Sequence, residues 1–145
     1  MHARLVARAS ERTHILVFES GDEVLPTLVS FTRERALPAA HFAAIGALSR
    51  ATLGYFDWAA KRYVEIPIDE HVEVVSLTGD IAHGDHGPQV HAHVVVAKRD
   101  GSAYGGHLLG ATVRPTLELV LVESPTFLRR RYDPASRIAL LDPQA

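Results

Sequence analysis

The 145-residue chain contains no cysteine. That excludes disulfides, thiolate metal sites and cysteine nucleophiles together, so any transition metal must be held by histidine, carboxylate or water. It has no run of 18 or more apolar residues, and so no segment expected to cross a membrane as a helix. The start of the chain lacks the apolar stretch of a signal peptide, which leaves a cytoplasmic setting as the expectation. Basic excess is lacking as well: the formal net charge is −2. A dedicated DNA-binding domain normally carries a basic excess or face, because neutralising phosphates supplies much of its affinity. The densest basic run, Arg129–Arg131, reads first as a solvated turn or subunit contact rather than a phosphate grip. Phosphate-binding glycine loops, nucleophile elbows and a clear acid/base pair are all missing, so no reaction is indicated.

What is present fits one globular domain over residues 1–145, with 47% apolar and 22% charged residues. Residues 5–19 read as one or two strands. Asp22 is placed to cap a helix with apolar positions Val24, Leu25, Leu28, Val29 and Ala36, and Pro26 falls in its first turn, where a missing N–H costs least. Short strands follow over 41–48, 52–57 and 62–66, then a longer one over 72–81, in which Gly79 marks a bulge or a close backbone approach. Residues 82–88 read as a loop by composition. Strands over 89–97, 104–109 and 113–123 follow, the first two joined by an Asp100-Gly101 turn. The tail beyond Pro125 is expected to wrap over the surface. One principal helix and many hairpin-linked strands predict an α+β domain around a mainly antiparallel sheet.

Five of the nine histidines, His83, His86, His91, His93 and His107, fall within 25 consecutive residues. His91 and His93 are two apart on a predicted strand. They therefore point to one face, with Cα atoms about 6.5–7 Å apart. The chain turns at Asp100-Gly101 and returns through Gly105-Gly106 to His107. Three neutral imidazoles with a free fourth position describe an open zinc site, although nickel, copper and iron suit the same donors. His83 and His86 sit in the predicted loop and are expected in solvent, while His41 and His71 take structural roles. Glu118 is read either as a carboxylate behind one imidazole or as an outward strand residue paired with Arg114. Glu73 and Ser76 read as buried polar groups fixing the sheet; Tyr104 and Asp57-Trp58 read as core, interface or pocket wall.

The stretch VHAHVVVAKRDGSAYGGHLLGATVRPTLELVLVE, from Val90 to Glu123, resembles the hallmark region of the plants-and-prokaryotes conserved (PPC) domain family. Residues 45–57 and Val72–Gly79 resemble the family's upstream motifs, and the match runs in order from about Ile15 to Leu141. The resemblance implies a mixed α/β fold, a homotrimer in prokaryotic members, and a metal at His91, His93 and His107. In plants the domain accompanies AT-hook segments, which grip DNA; this chain has none.

Three functions remain open at this level. The first is a trimeric metal-binding protein, with a small-molecule or regulatory role at a site whose catalytic competence is undetermined. The second is a DNA-associated regulatory protein. The third is a structural or oligomerisation module in which the metal only stiffens a loop.

Overall fold

The computed structural model describes residues 2–8, 11–124 and 127–142, the first of these as backbone only. Pro125 and Pro143, which framed the predicted tail, lie outside these residues. Nine strands and one helix are present among them: β1 (His2–Arg8), β2 (Arg12–Glu19), α1 (Val24–Arg35), β3 (Ala39–Asp57), β4 (Arg62–Ile68), β5 (Val72–Gly84), β6 (Gly87–Ala97), β7 (Ala103–Ser124), β8 (Arg129–Asp133) and β9 (Ile138–Asp142).

The α+β expectation is overturned. One 12-residue helix stands against nine strands in one sheet, and the chain is mainly β. The reason is that segments read as separate short strands join into long ones. Residues 41–57 are one strand, β3, that bends at a register shift between Ala44 and Gly46. Residues 103–124 are likewise one strand, β7. The predicted loop over 82–88 is mostly strand, because β5 runs to Gly84, β6 starts at Gly87, and only Asp85 and His86 turn between them. A helical layer is not needed to cover such a sheet, since it buries its own inner face by closing. Strand β3 pairs with β5 and β7, β5 with β6, and β6 with β7, so four strands form a ring. Every pairing is antiparallel except a short parallel contact of β5 with β8 at His83 and Arg129.

Inside the ring, alternate residues are buried: Val94 and Val96 on β6, Leu53 on β3, Leu77 on β5 and Leu108 on β7. Beyond it, β2 extends the sheet along the second half of β7, and α1 packs against β6 and β7, adding Val24, Leu28 and Phe31 to the core that includes Leu16, Phe18, Leu117, Leu119 and Leu121. Each such side chain contributes about 1.5–3 kcal/mol on burial. The N-cap position falls on Glu23, which makes no side-chain cap bond, rather than on Asp22, whose Oδ2 instead accepts the Glu19 N–H at 3.0 Å. It stops at Ala36, in the left-handed conformation with φ 49°, where the N–H groups of Ala36 and Leu37 close the last turn.

The row of residues on the outer face is equally regular. Ile15 pairs with Val120, Val120 with Ala43, Ala43 with Thr78, Thr78 with His93, and His93 with His107. Directly opposed residues share a face, so this row runs unbroken across five strands. Ile45, Val75 and Val95 flank it and are exposed, as are Ile15 and Val120.

Gly79 marks a close approach. A methyl group there would fall on the His91 carbonyl oxygen and at 2.5 Å from Cζ of Phe42, inside the ring. Gly110 meets nothing within 4 Å of the same position. Gly79→Ala should lower the unfolding free energy by about 1–3 kcal/mol, the usual range for overpacking, and Gly110→Ala should leave it nearly unchanged. Urea denaturation midpoints of the two variants check the contrast.

Candidate metal centre

The ring geometry assembles the three histidines. Strand β6 carries His91 and His93 on its outer face, and the β6–β7 hairpin sets His107 directly opposite His93. That hairpin is closed by the Lys98 N–H donating to the Ser102 carbonyl at 2.8 Å, with Gly101 at φ 82°. Gly106 admits the neighbouring strand: a methyl there would meet the Gly54 carbonyl oxygen at 2.9 Å. Gly54 in turn lies opposite His107. Its missing side chain lets Tyr63 of β4 reach across and stack on the His107 ring, centroids 4.5 Å apart.

The three ring centroids stand 5.1–5.3 Å from one another. One ring nitrogen from each lies within 4.8 Å of the other two. Three nitrogens bound tetrahedrally at about 2.0–2.1 Å sit roughly 3.4 Å apart, so small side-chain rotations close the set on one ion. No fourth histidine or carboxylate joins the group among the described residues.

The electrostatics suit ligation, which needs neutral imidazole. Burial, with the neighbouring His91 and His93 and then Arg130, pushes the His107 pKa down to about 4. Burial and His91 lower that of His93 too. Asp80, opposite His91 in register, places Oδ2 3.5 Å from His91 Nδ1. Burial pushes the Asp80 carboxyl up, but the contacts with His91 and Arg130 outweigh it and hold the carboxyl below its ordinary range. A carboxylate at Nδ1 favours the tautomer that leaves Nε2 of His91 free for an ion. Tyr63 Oη lies 3.5 Å from His107 Nδ1, and burial raises its pKa.

Other expectations meet a different structure. Glu118 is exposed on the outer face beside Ile15, Ile45 and Val120, eleven residues along β7 from His107, so it is not the carboxylate behind an imidazole. Asp80 holds that place. His83 is not in a solvent loop: it is half-buried on β5, donates from Nε2 to the Leu37 carbonyl at 2.9 Å and stacks on Phe127. His86 is exposed, as expected. His41 and His71 are exposed, and so are Glu73 and Ser76, which were read as buried. Tyr104 lies under the Lys98 ammonium, and Asp57 caps the β3–β4 turn with Trp58 exposed. The Arg129–Arg131 run divides: Arg130 is buried, and Arg131 pairs with Asp142 at 3.0 Å.

The sequence profile of the Plants and Prokaryotes Conserved (PCC) domain matches residues 6–125. The chain belongs to this family. Among solved structures, it is similar to a candidate DNA-binding protein from Ralstonia eutropha JMP134, with 34% identity, 89% and 90% of the two chains covered, and a TM-score of 0.84. It is also similar to the metal-containing protein AF0104 of Archaeoglobus fulgidus, at 30% identity, 98% and 99% coverage and a TM-score of 0.84. A curated relative, the bifunctional protein GlmU of Synechococcus sp. strain JA-2-3B'a(2-13), is 32% identical over 119 residues. The PCC chain spans about a fifth of that relative's length: 80% of its own residues match 18% of the other protein.

The low pKa of His107 gives a pH signature in metal-free protein. Unfolded, the imidazole takes a proton near its ordinary 6.5; folded, it does so only at about 4. Between these values the unfolded chain binds more protons, so the His107 contribution to stability falls as pH drops from 6.5 toward 4. Chelator-treated wild type should lose more melting temperature over this window than the His107→Gln variant. Equal losses would refute the assignment.

Proposed function

We propose that this PCC protein is a cytoplasmic homotrimer that holds a divalent metal ion, zinc by preference, on His91, His93 and His107, and presents the ion's open position to a small oxygen-bearing ligand. The observation that carries the reading is the convergence of three imidazoles within 4.8 Å on an accessible strand face, two of them with lowered pKa values. The metal-containing relative from Archaeoglobus fulgidus supports it. All-imidazole ligation with one position left open suits zinc. A bound ion would supply a Lewis-acid centre. The chain's own groups do the rest: Asp80 selects the His91 tautomer, and Tyr63 covers the outer side of His107. Binding is favoured over catalysis because the nearby carboxylate, Asp80, is already engaged by Arg130 and His91 and is not free to act as a base.

Self-association is supported by the outer face. Ile15, Ile45, Val75, Val95 and Val120 are all more than a third exposed on neighbouring strands, and such a patch marks an interaction surface. Prokaryotic members that the chain resembles form trimers, which makes a second copy the fitting occupant.

Association with DNA is the weaker reading. The Ralstonia eutropha relative is described as a candidate DNA-binding protein, but the net charge of −2 and the burial of Arg130 leave little basic surface for phosphates. A gel-shift titration that finds tight, salt-sensitive binding would reverse this ranking.

Two measurements test the main reading. Elemental analysis should find about one equivalent of zinc per wild-type chain and little in His91→Ala, with His41→Ala unchanged. Metal-free wild type without loss in His91→Ala would remove the site. Native mass measurement should find a trimer that persists after chelation, reduced to monomer by Val120→Asp, which buries a charge in an apolar contact. A trimer that dissociates on chelation would favour the purely structural role.

A further inference from the structure

Behind the metal centre stands a buried arginine from outside the stretch matched to the family. Arg130 lies on β8, beyond residues 6–125, and its side chain is 6% exposed. Its Nη2 donates to Oδ1 of Asp80, whose Oδ2 faces His91 Nδ1 at 3.5 Å. Nη1 reaches the Ala139 carbonyl of β9 at 3.5 Å, while Nε is buried with no hydrogen-bond partner among the described residues. The β8–β9 segment also meets the ring by one parallel pairing at His83, the His83 N–H donating to the Leu128 carbonyl at 2.9 Å, and the His83 ring stacking on Phe127 at 4.4 Å. A buried guanidinium is costly unless paired, so loss of Asp80 would leave an uncompensated charge in the docked hairpin. The same carboxylate fixes the imidazole that the metal needs.

We propose that Arg130 is a positioning residue for the metal centre and that the relay Arg130–Asp80–His91 links docking of the β8–β9 hairpin to metal occupancy. The inference rests on the three-histidine reading above. An ion held by His91 would withdraw electron density from the ring and strengthen Nδ1–H donation to Asp80. A carboxylate held on one side by Arg130 and on the other by His91 then loses freedom to swing away. By linkage, metal tightens the hairpin, and loss of the arginine weakens metal.

The test uses the full chain and zinc alone. Competition with a chromophoric chelator should find zinc binding weakened about 10–100-fold by Asp80→Asn and by Arg130→Met, the usual effect of removing a group that orients a ligand. Arg130→Met in the Asp80→Asn background should add no further loss. Arg130→Lys, which keeps the charge, should recover most of the affinity. Hydrogen exchange over residues 129–142 should slow on zinc addition in the wild type and not in Asp80→Asn, a response that a merely structural arginine would not give. Should Arg130→Met fail to fold, Asp80→Asn and Arg130→Lys decide through the same two readouts. Unchanged zinc affinity in folded Arg130→Met, multiplying losses in the double variant, or hairpin exchange indifferent to zinc each overturn the linkage alone. A wild-type chain that takes up no zinc overturns the three-histidine reading and the linkage with it.

Discussion

The pairing of β7 with three strands in turn is the constraint on which the other features rest. Its start, Ala103–His107, pairs with β6, the stretch from His107 to Ser124 pairs with β3, and Thr116–Glu123 also pairs with β2, so the ring closes where β6 and β3 meet at His107. A strand paired on both sides has no free edge, and a sheet that closes needs no separate layer to cover its inner face. This is why one short helix suffices, packed against β6 and β7. The same closure places His107 beside His93 and opposite Gly54, so the candidate centre follows from the register that holds the fold together.

The part of the site legible in the sequence was the part carried by one hairpin. The two-residue spacing of His91 and His93 shows their common face, and Asp100-Gly101 with Gly105-Gly106 brings His107 back. Asp80 was hidden because residues 82–88 resemble a loop. Had Asp85-His86 been taken as a two-residue turn, the register from Gly84 and Gly87 would have run directly to Asp80 opposite His91. No local signal identifies Arg130, since an arginine between two arginines looks solvated. Its burial depends on where the tail docks. The fold class failed for a related reason: Ser49-Arg50 and Gly110 look like breaks between short strands, yet each lies within a long one.

Two charged networks tie distant segments together, and they differ in chemistry. Arg12 and His14 of β2 both engage the buried Glu123 of β7; His14 Nε2 donates to Oε2 at 3.1 Å and its ring meets Phe31 edge-on at 5.5 Å. His14 Nδ1 has no hydrogen-bond partner among the described residues. Arg130 and Asp80 form the second. Burying ions costs desolvation that pairing only partly repays, so neither network is a large net source of stability. What each does is penalise the wrong register, because a slip of one residue would leave a buried charge alone. In the first network that specificity aligns β2 with β7. In the second it aligns a hairpin with a ligand.

The outer face joins these observations. His93 stands in the same cross-strand row as Ile15 and Val120, and the exposed Val95 lies two residues along β6 from it. A second copy docked on the aliphatic end of that row would remove water from the strand that carries two of the three imidazoles. Lower local dielectric strengthens every charge interaction there and lowers further the tendency of His93 to take a proton. Assembly and ligation would therefore favour the same neutral state of the imidazoles, without the neighbouring copy supplying any ligand of its own. The geometry that leaves the histidines accessible is thus the geometry that leaves an apolar face beside them to be covered.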